Sequence, residues 1–260
     1  MTAKYDHIGQ GYNRTRKADP YLTERLISLL KPESGKYYLD VGCGTGNYTH
    51  ALYNRGVHLT GIDPSEKMLT EARKKNNSIE WKKGSVEDLP FHDAVFNGAI
   101  ATLTLHHWQN MVNGFAEIKR VLIPRSNLVI FTSSPKQMET YWLNHYFPQM
   151  MKTSTAQMPS LKKISACLEQ SGFSQITTEK YFVQNDLQDL FLQSGKYKPA
   201  MYFDPQIRRG ISSFAALSNA EEVQKGLDLL ARDIESGKIQ QIIDQYENQA
   251  GDYLFIRARS

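Results

Sequence analysis

The sequence predicts an α/β domain: a mainly parallel sheet of seven strands, helices on both faces, and a helical lid inserted late in the chain. Three observations carry that prediction. Short apolar runs alternate with stretches of helical periodicity over residues 22–133, the pattern of successive strand–helix–strand units. A glycine-rich turn, "LDVGCGTGNYT" at 39–49, follows the first of those runs. And about 65 residues of helical character separate the last two strand-like runs, too many for a loop.

Each element has its own signal. "LTERLISLL" places apolar residues at 22, 26, 29 and 30, a helical spacing. "YYLDVG" is a short buried strand ending in the glycine turn, and "NYTHALYNRG" a helix closed by Gly56. "VHLTGID" is a second strand, and "PSEKMLTEARKKN" a helix with Pro64 near its first turn. "IEWKKG" and "AVFNGAIATL" are the third and fourth strands. "MVNGFAEIKRVL" sets 111, 112, 115, 118, 121 and 122 on one helical face, and "NLVIFTS" is the fifth strand. "SLKKISACLEQSGF" is a helix capped by Ser160 and stopped by Gly172. "QITTEKYFV" and "DYLFIRAR" are the sixth and seventh strands. Between them, Val223, Leu227, Leu230 and Ile234 form one stripe, and Ile239, Ile242, Ile243 and Tyr246 another. The expected organisation is an N-terminal cap plus cofactor-binding core over 1–134, a lid segment over 135–160, core again over 161–185, a helical lid insertion over 186–250, and a final core strand over 251–260.

The totals set bounds. A chain of 260 residues, 40% hydrophobic, suits one large domain or one domain with an insertion. Net charge is +4 with no like-charge block beyond "RKK" at 73–75, which reads as solvated surface and argues against a nucleic-acid footprint. Cys43 and Cys167 make no ligand spacing, so neither a disulfide framework nor a metal site is expected. The first 20 residues carry no apolar signal-peptide core, and no run approaches the roughly 20 apolar residues that span a bilayer. The expectation is a soluble cytoplasmic protein, monomeric or homodimeric.

The glycine turn points to a ligand. Glycines after a first strand let the backbone turn tightly and approach what it binds. The dinucleotide fingerprint would need glycine at 42, 44 and 47, but position 47 is Asn, and Asp40 precedes the turn. A pyrophosphate disfavours a nearby carboxylate; a cationic group welcomes one. Asp63, ending the second strand, suits ribose hydroxyls. A nucleoside with a cationic tail follows, and S-adenosylmethionine has that chemistry.

"YYLDVGCGTGNYT", "GIDPSEKML", "GSVEDLPF" and "ATLTLHHW", in that order and spacing, resemble successive motifs of class I S-adenosylmethionine-dependent methyltransferases, closest in flavour to the group with the ubiquinone/menaquinone-biosynthesis enzymes. The resemblance covers about residues 37–133 and implies a Rossmann-like fold. It implies that Asp40, Gly42 and Gly44 hold the methionine portion, Asp40 through the amine or a water. It further implies that Asp63 binds the ribose, Pro64 and Met68 pack on adenine, Val86 offers its backbone N–H to an adenine nitrogen, and Ala101 lines the methionine pocket. Ser85 stands where relatives often carry Asp; its hydroxyl, or Glu87, would accept from the adenine amino group. "IPRSN" replaces a familiar Pro-Gly-Gly turn and is expected to alter only a distal loop. The N-terminal "YDHIGQGYNRTR" resembles a segment that folds over the cofactor, so Tyr12 would cover the methionine chain and Arg16 would pair with its carboxylate.

Methyl transfer from a sulfonium requires alignment first and a base only where the acceptor must lose a proton. His106 and His107, at the carboxyl end of the fourth strand, are the candidate bases; either also suits packing beside Trp108. In the lid, Tyr141, Trp142, His145 and Tyr197 are candidate substrate contacts, with formation of the lid's own core as the alternative. The function expected is methylation of a small, partly apolar or planar metabolite, with S-adenosylhomocysteine as the second product. RNA or protein methylation, or a non-catalytic cofactor-binding subunit, is the alternative.

Overall fold

The computed structural model describes residues 15–260, so Tyr12 lies outside the described residues. The first half is a strict alternation. α1 (Pro20–Leu30) leads into β1 (Tyr37–Val41), then α2 (Asn47–Tyr53), β2 (His58–Asp63), α3 (Glu66–Lys75), β3 (Glu80–Lys83), β4 (Phe96–Thr102), α4 (Met111–Val121) and β5 (Leu122–Thr132). Local chemistry sets these ends. Asp19 caps α1 by accepting from the Leu22 N–H at 3.0 Å, with Pro20 in the first turn. Ser65, rather than Pro64, opens α3: its hydroxyl accepts from the Met68 N–H at 3.3 Å, and Pro64 stands outside the helix.

The strands form one seven-stranded sheet in the order β3-β2-β1-β4-β5-β7-β6. β6 is Ser174–Tyr181 and β7 is Tyr253–Arg259. β1 through β5 pair in parallel, while β7 runs antiparallel to both of its neighbours. Strand order reverses between β1 and β4, and at such a point the carboxyl ends of the strands open a crevice.

Each face of the sheet carries its own core, and alternate residues feed opposite faces. Leu128 and Ile130 of β5 pack with Phe115 and Ile118 of α4 and with Ile164 and Leu168 of α8 (Leu161–Gln170). Val129 and Phe131 pack on the other side with Leu22, Leu26 and Leu30 of α1. β5 is longer than the run at 127–133 suggests. Leu122 already pairs with Phe96, the register then shifts before Gly98 meets Asn127, and Arg125 takes φ 65°. "IPRSN" is thus an irregular stretch within a strand rather than a loop, at the sheet end opposite the crevice.

The two insertions fold together. Residues 135–157 form three short helices, α5 (Pro135–Glu139), α6 (Leu143–Tyr146) and α7 (Pro148–Gln157). After β6 come α9 (Pro205–Gly210), α10 (Ser212–Ala216), α11 (Ala220–Glu235) and α12 (Lys238–Gln245). Met138, Trp142, Phe147 and Met150 share one apolar cluster with Tyr202, Phe214, Leu230 and Ile242. Tyr146 donates its hydroxyl to buried Asp233 at 3.0 Å across the two segments. Leu187 and Phe191 do not join that cluster; they pack in the sheet core with Phe131 and Tyr253.

Candidate active site

A crevice enclosing about 1380 Å³ of empty space, its mouth included, opens at the carboxyl ends of β1, β2 and β4. The glycine loop forms its floor. At Gly42 the backbone has φ 69° and an added Cβ would stand 2.1 Å from Thr104 Oγ1, so the loop lies directly against the end of β4. At Gly44 (φ 55°) a Cβ would meet nothing within 4 Å and would project into open space. The bare backbone there leaves room for a ligand to approach.

Two carboxylates organise the loop. Asp63, at the end of β2, accepts from the Gly44 N–H and the Ser65 N–H, each at 2.9 Å, and lines the crevice. Asp40 lies beneath the loop, 1% exposed, with Oδ2 accepting from Thr49 Oγ1 at 2.6 Å. Its Oδ1 is buried without a partner among the described residues. Burial, opposed by the Thr49 bond and reinforced by the charge of Asp63, raises the Asp40 carboxyl to about 7. Burial likewise pushes the Cys43 thiol well up, aided by the same two acids, which leaves it a poor nucleophile. An unsatisfied buried acceptor under a glycine loop fits a ligand bearing a cationic or N–H-rich end. It does not fit a pyrophosphate.

The folded protein holds the Asp40 proton more tightly than the unfolded chain does. The associated stability is therefore complete below about pH 4 and is lost as pH rises through about 7. Asp40→Asn should raise the melting temperature of the ligand-free protein relative to wild type at pH 8, by the equivalent of about 2–4 kcal/mol. At pH 4 the difference should largely vanish; a gain independent of pH between 4 and 8 would contradict the titration.

Lys75, from the last turn of α3, reaches under the loop. Its ammonium donates to the Thr45 carbonyl at 2.8 Å, to Thr45 Oγ1 at 3.0 Å and to Asn47 Oδ1. Burial lowers it to about 8. Asn47 in turn donates to the Arg16 carbonyl at 2.9 Å. Arg16 lines the crevice, and its guanidinium forms an ion pair with Asp189, an acid that nothing in the sequence marked.

The residues read from the sequence fall into three groups. Arg16, Gly42, Gly44, Asp63, Met68, His106 and His107 line the crevice together. The two histidines occupy a 3₁₀ turn (Leu105–His107) with ring centroids 3.8 Å apart. A second group stands beside the crevice rather than on its wall. Asp40 and Ala101 are buried below it, and Thr102, Leu103 and Thr104 form the wall in Ala101's place. Pro64 is exposed, Val86 packs in the sheet core, and Ser85 donates its hydroxyl to Glu87. Glu87 also accepts from the Gln109 N–H at 2.8 Å, just ahead of α4.

The third group, the lid contacts, needs correction. Tyr141, Trp142, His145 and Tyr197 do not line the crevice. Trp142 is enclosed by the rings of Tyr141, Tyr146 and Tyr202 at 5.2, 5.8 and 5.6 Å. Tyr141 spends its hydroxyl on Tyr202 at 2.6 Å. His145 stacks edge-on against Tyr146, and Tyr197 is 52% exposed. Large aromatics are consumed in giving the lid a core of its own. Its crevice wall is made instead by Met138, Met158, Leu192 and Leu217, with polar points at Gln157 and at Ser154, which is bonded to Ser213 at 2.7 Å. Among the described residues no group of acids, histidines and cysteines could hold a metal ion, and no helix is long and apolar enough to cross a membrane.

Comparison with known proteins agrees with this geometry. A family model described as a methyltransferase domain matches residues 39–130. A crystal structure from Anabaena variabilis, named as a candidate methyltransferase of an antibiotic biosynthesis pathway, superposes with TM-score 0.84 at 31% identity, covering 94% of this chain and 98% of that one. A malonyl-[acyl-carrier protein] O-methyltransferase from Erwinia pyrifoliae is 28% identical over 145 residues, 55% of this chain and 55% of that protein. The chain thus spans about half the length of that relative. A demethylmenaquinone methyltransferase from Tropheryma whipplei is 27% identical over 178 residues, 64% of this chain and 74% of that protein.

Proposed function

Because this chain belongs to the class I S-adenosylmethionine-dependent methyltransferases, we propose that it binds S-adenosylmethionine in the crevice and methylates a small, partly apolar or planar acceptor held beneath the lid. The observation that carries this reading is the continuity of the crevice: one space runs from Asp63 and the glycine loop to the Met138–Leu217 wall of the lid. When bound, S-adenosylmethionine supplies an electrophilic methyl group on a sulfonium whose leaving thioether is neutral. The chain's part is to align and to exclude water.

Asp63 would accept from the ribose hydroxyls, and Met68 would pack on the adenine. The loop amides and Arg16 would hold the amino-acid end, with Asp40, beneath the loop, reaching its amine directly or through a water. Lid residues would fix the acceptor's approach, and such positioning supplies roughly 7–11 kcal/mol in favourable cases. Where the acceptor must lose a proton, His106 or His107, which line the crevice after β4, would receive it. The lid wall offers methionine and leucine surface with a few hydroxyl and amide groups, which suits a small molecule better than a polymer chain.

The test uses donor labelled in its methyl group, the purified protein, and an extract of the native cell with its own enzymes inactivated. Label is expected in the small-molecule fraction, and none with Asp63→Ala. Label in RNA or protein would overturn the acceptor class. No label from a protein that still binds S-adenosylhomocysteine would argue for a binding subunit.

A further inference from the structure

Arg16 and Asp189 lie 173 residues apart in sequence, yet both line the crevice beside the first turn of α2. We propose that Asp189 is a cofactor-binding residue that takes the ammonium of the cofactor's amino-acid end while Arg16 takes its carboxylate. The inference rests on the cofactor reading above and adds to it a residue, a charge and a geometry of recognition.

Asp189 is 1% exposed, and a carboxylate is kept so far from water only where it is matched by donors. Its donors can be counted. Oδ1 accepts from Arg16 Nε; Oδ2 accepts from Arg16 Nη2 at 3.3 Å and from the Tyr48 hydroxyl at 3.1 Å. A carboxylate has about four lone-pair sites, so one remains on Oδ1. The pair is neutral as a unit and presents both signs to the crevice. A zwitterion, with an ammonium and a carboxylate on one carbon, is the complementary charge pattern. A purely anionic or purely cationic ligand would gain from one partner and lose to the other.

The pair is also held still. The Leu190 N–H donates to the Thr15 carbonyl and the Gln188 N–H to Asp19 Oδ2, each at 3.0 Å. Asn47 grips the Arg16 carbonyl from the α2 side. Leu187 and Phe191, flanking Asp189, are anchored in the sheet core rather than in the lid. A receptor fixed on both sides loses little freedom when its ligand arrives.

The test is calorimetry with three ligands. S-adenosylhomocysteine carries both charges; its decarboxylated analogue keeps only the ammonium; 5′-methylthioadenosine has neither. Asp189→Asn should weaken the first two by about tenfold or more and leave the third within about twofold, a contrast set by the loss of one charge-assisted hydrogen bond. Arg16→Gln should weaken only the first. Tyr48→Phe, which removes one donor and keeps the ring, should weaken the first two severalfold. Equal losses on all three ligands for Asp189→Asn would show a wall-building role and overturn the proposal. So would wild-type affinity for the decarboxylated analogue, which would mean that Asp189 acts only through Arg16. Failure of the wild-type protein to bind S-adenosylhomocysteine at all would bring down the cofactor reading and this inference with it.

Discussion

Asp63→Ala should weaken S-adenosylhomocysteine binding by about 100-fold or more while the protein stays folded. A hydrogen bond from a neutral donor to a carboxylate is worth about 1.5–3 kcal/mol, and the proposed role gives this carboxylate two ribose hydroxyls. Removing both costs about 3 kcal/mol or more, and 1.4 kcal/mol is tenfold. The same side chain already accepts from the amides of Gly44 and Ser65, so alanine also loosens the loop and the start of α3. That second effect should be modest, about 1–2 kcal/mol, because Asp63 is only half-buried and water can replace it. Asn is not a neutral control, since one of its two groups would turn a donor toward an amide donor. Calorimetry for affinity and a melting curve for the fold check both parts. Unchanged affinity in a folded variant would falsify the placement of the nucleoside.

Trp142→Ala tests the lid in the opposite way. Trp142 is 2% exposed inside three aromatic rings, and truncating such a residue costs about 3–5 kcal/mol. That is a large share of what a cluster built from two chain segments contributes. The lid should open or melt while the sheet persists, because its contacts lie in other clusters, and while the glycine loop and the Arg16–Asp189 pair persist on their bonds to Asp63, Asn47 and Tyr48. Methyl transfer to the acceptor should fall about 100-fold or more, and affinity for S-adenosylhomocysteine should change no more than about threefold. Hydrogen exchange should show α5–α7 and α11 losing protection together. A matching collapse in cofactor affinity would mean that lid and cradle are one cooperative body.

What the sequence made legible follows from which interactions are local. Strands and helices were readable because each buries one stripe or run, and Ser160, Gly172 and the glycine turn mark their ends chemically. The reversed direction of β7 had no such mark: its residues read the same whichever way the strand runs between β5 and β6. The lid misled for a physical reason. Tyr141 and Trp142 are large and apolar whether they face a ligand or one another, and only packing decides. Met138, Ser154 and Gln157, which do face the crevice, are unremarkable as letters. Asp189 was invisible because its meaning comes from Arg16, far away in sequence.

The lid's construction also has a consequence in time. Trp142 is made long before Tyr202, one of its ring partners, and Tyr146 long before Asp233, which takes its hydroxyl bond. At roughly 5–20 residues per second, several seconds pass on the ribosome between the first half of that cluster and the second. Through that interval a bare aromatic segment follows a sheet of five strands, whose β5 edge waits for β7 at the end of the chain.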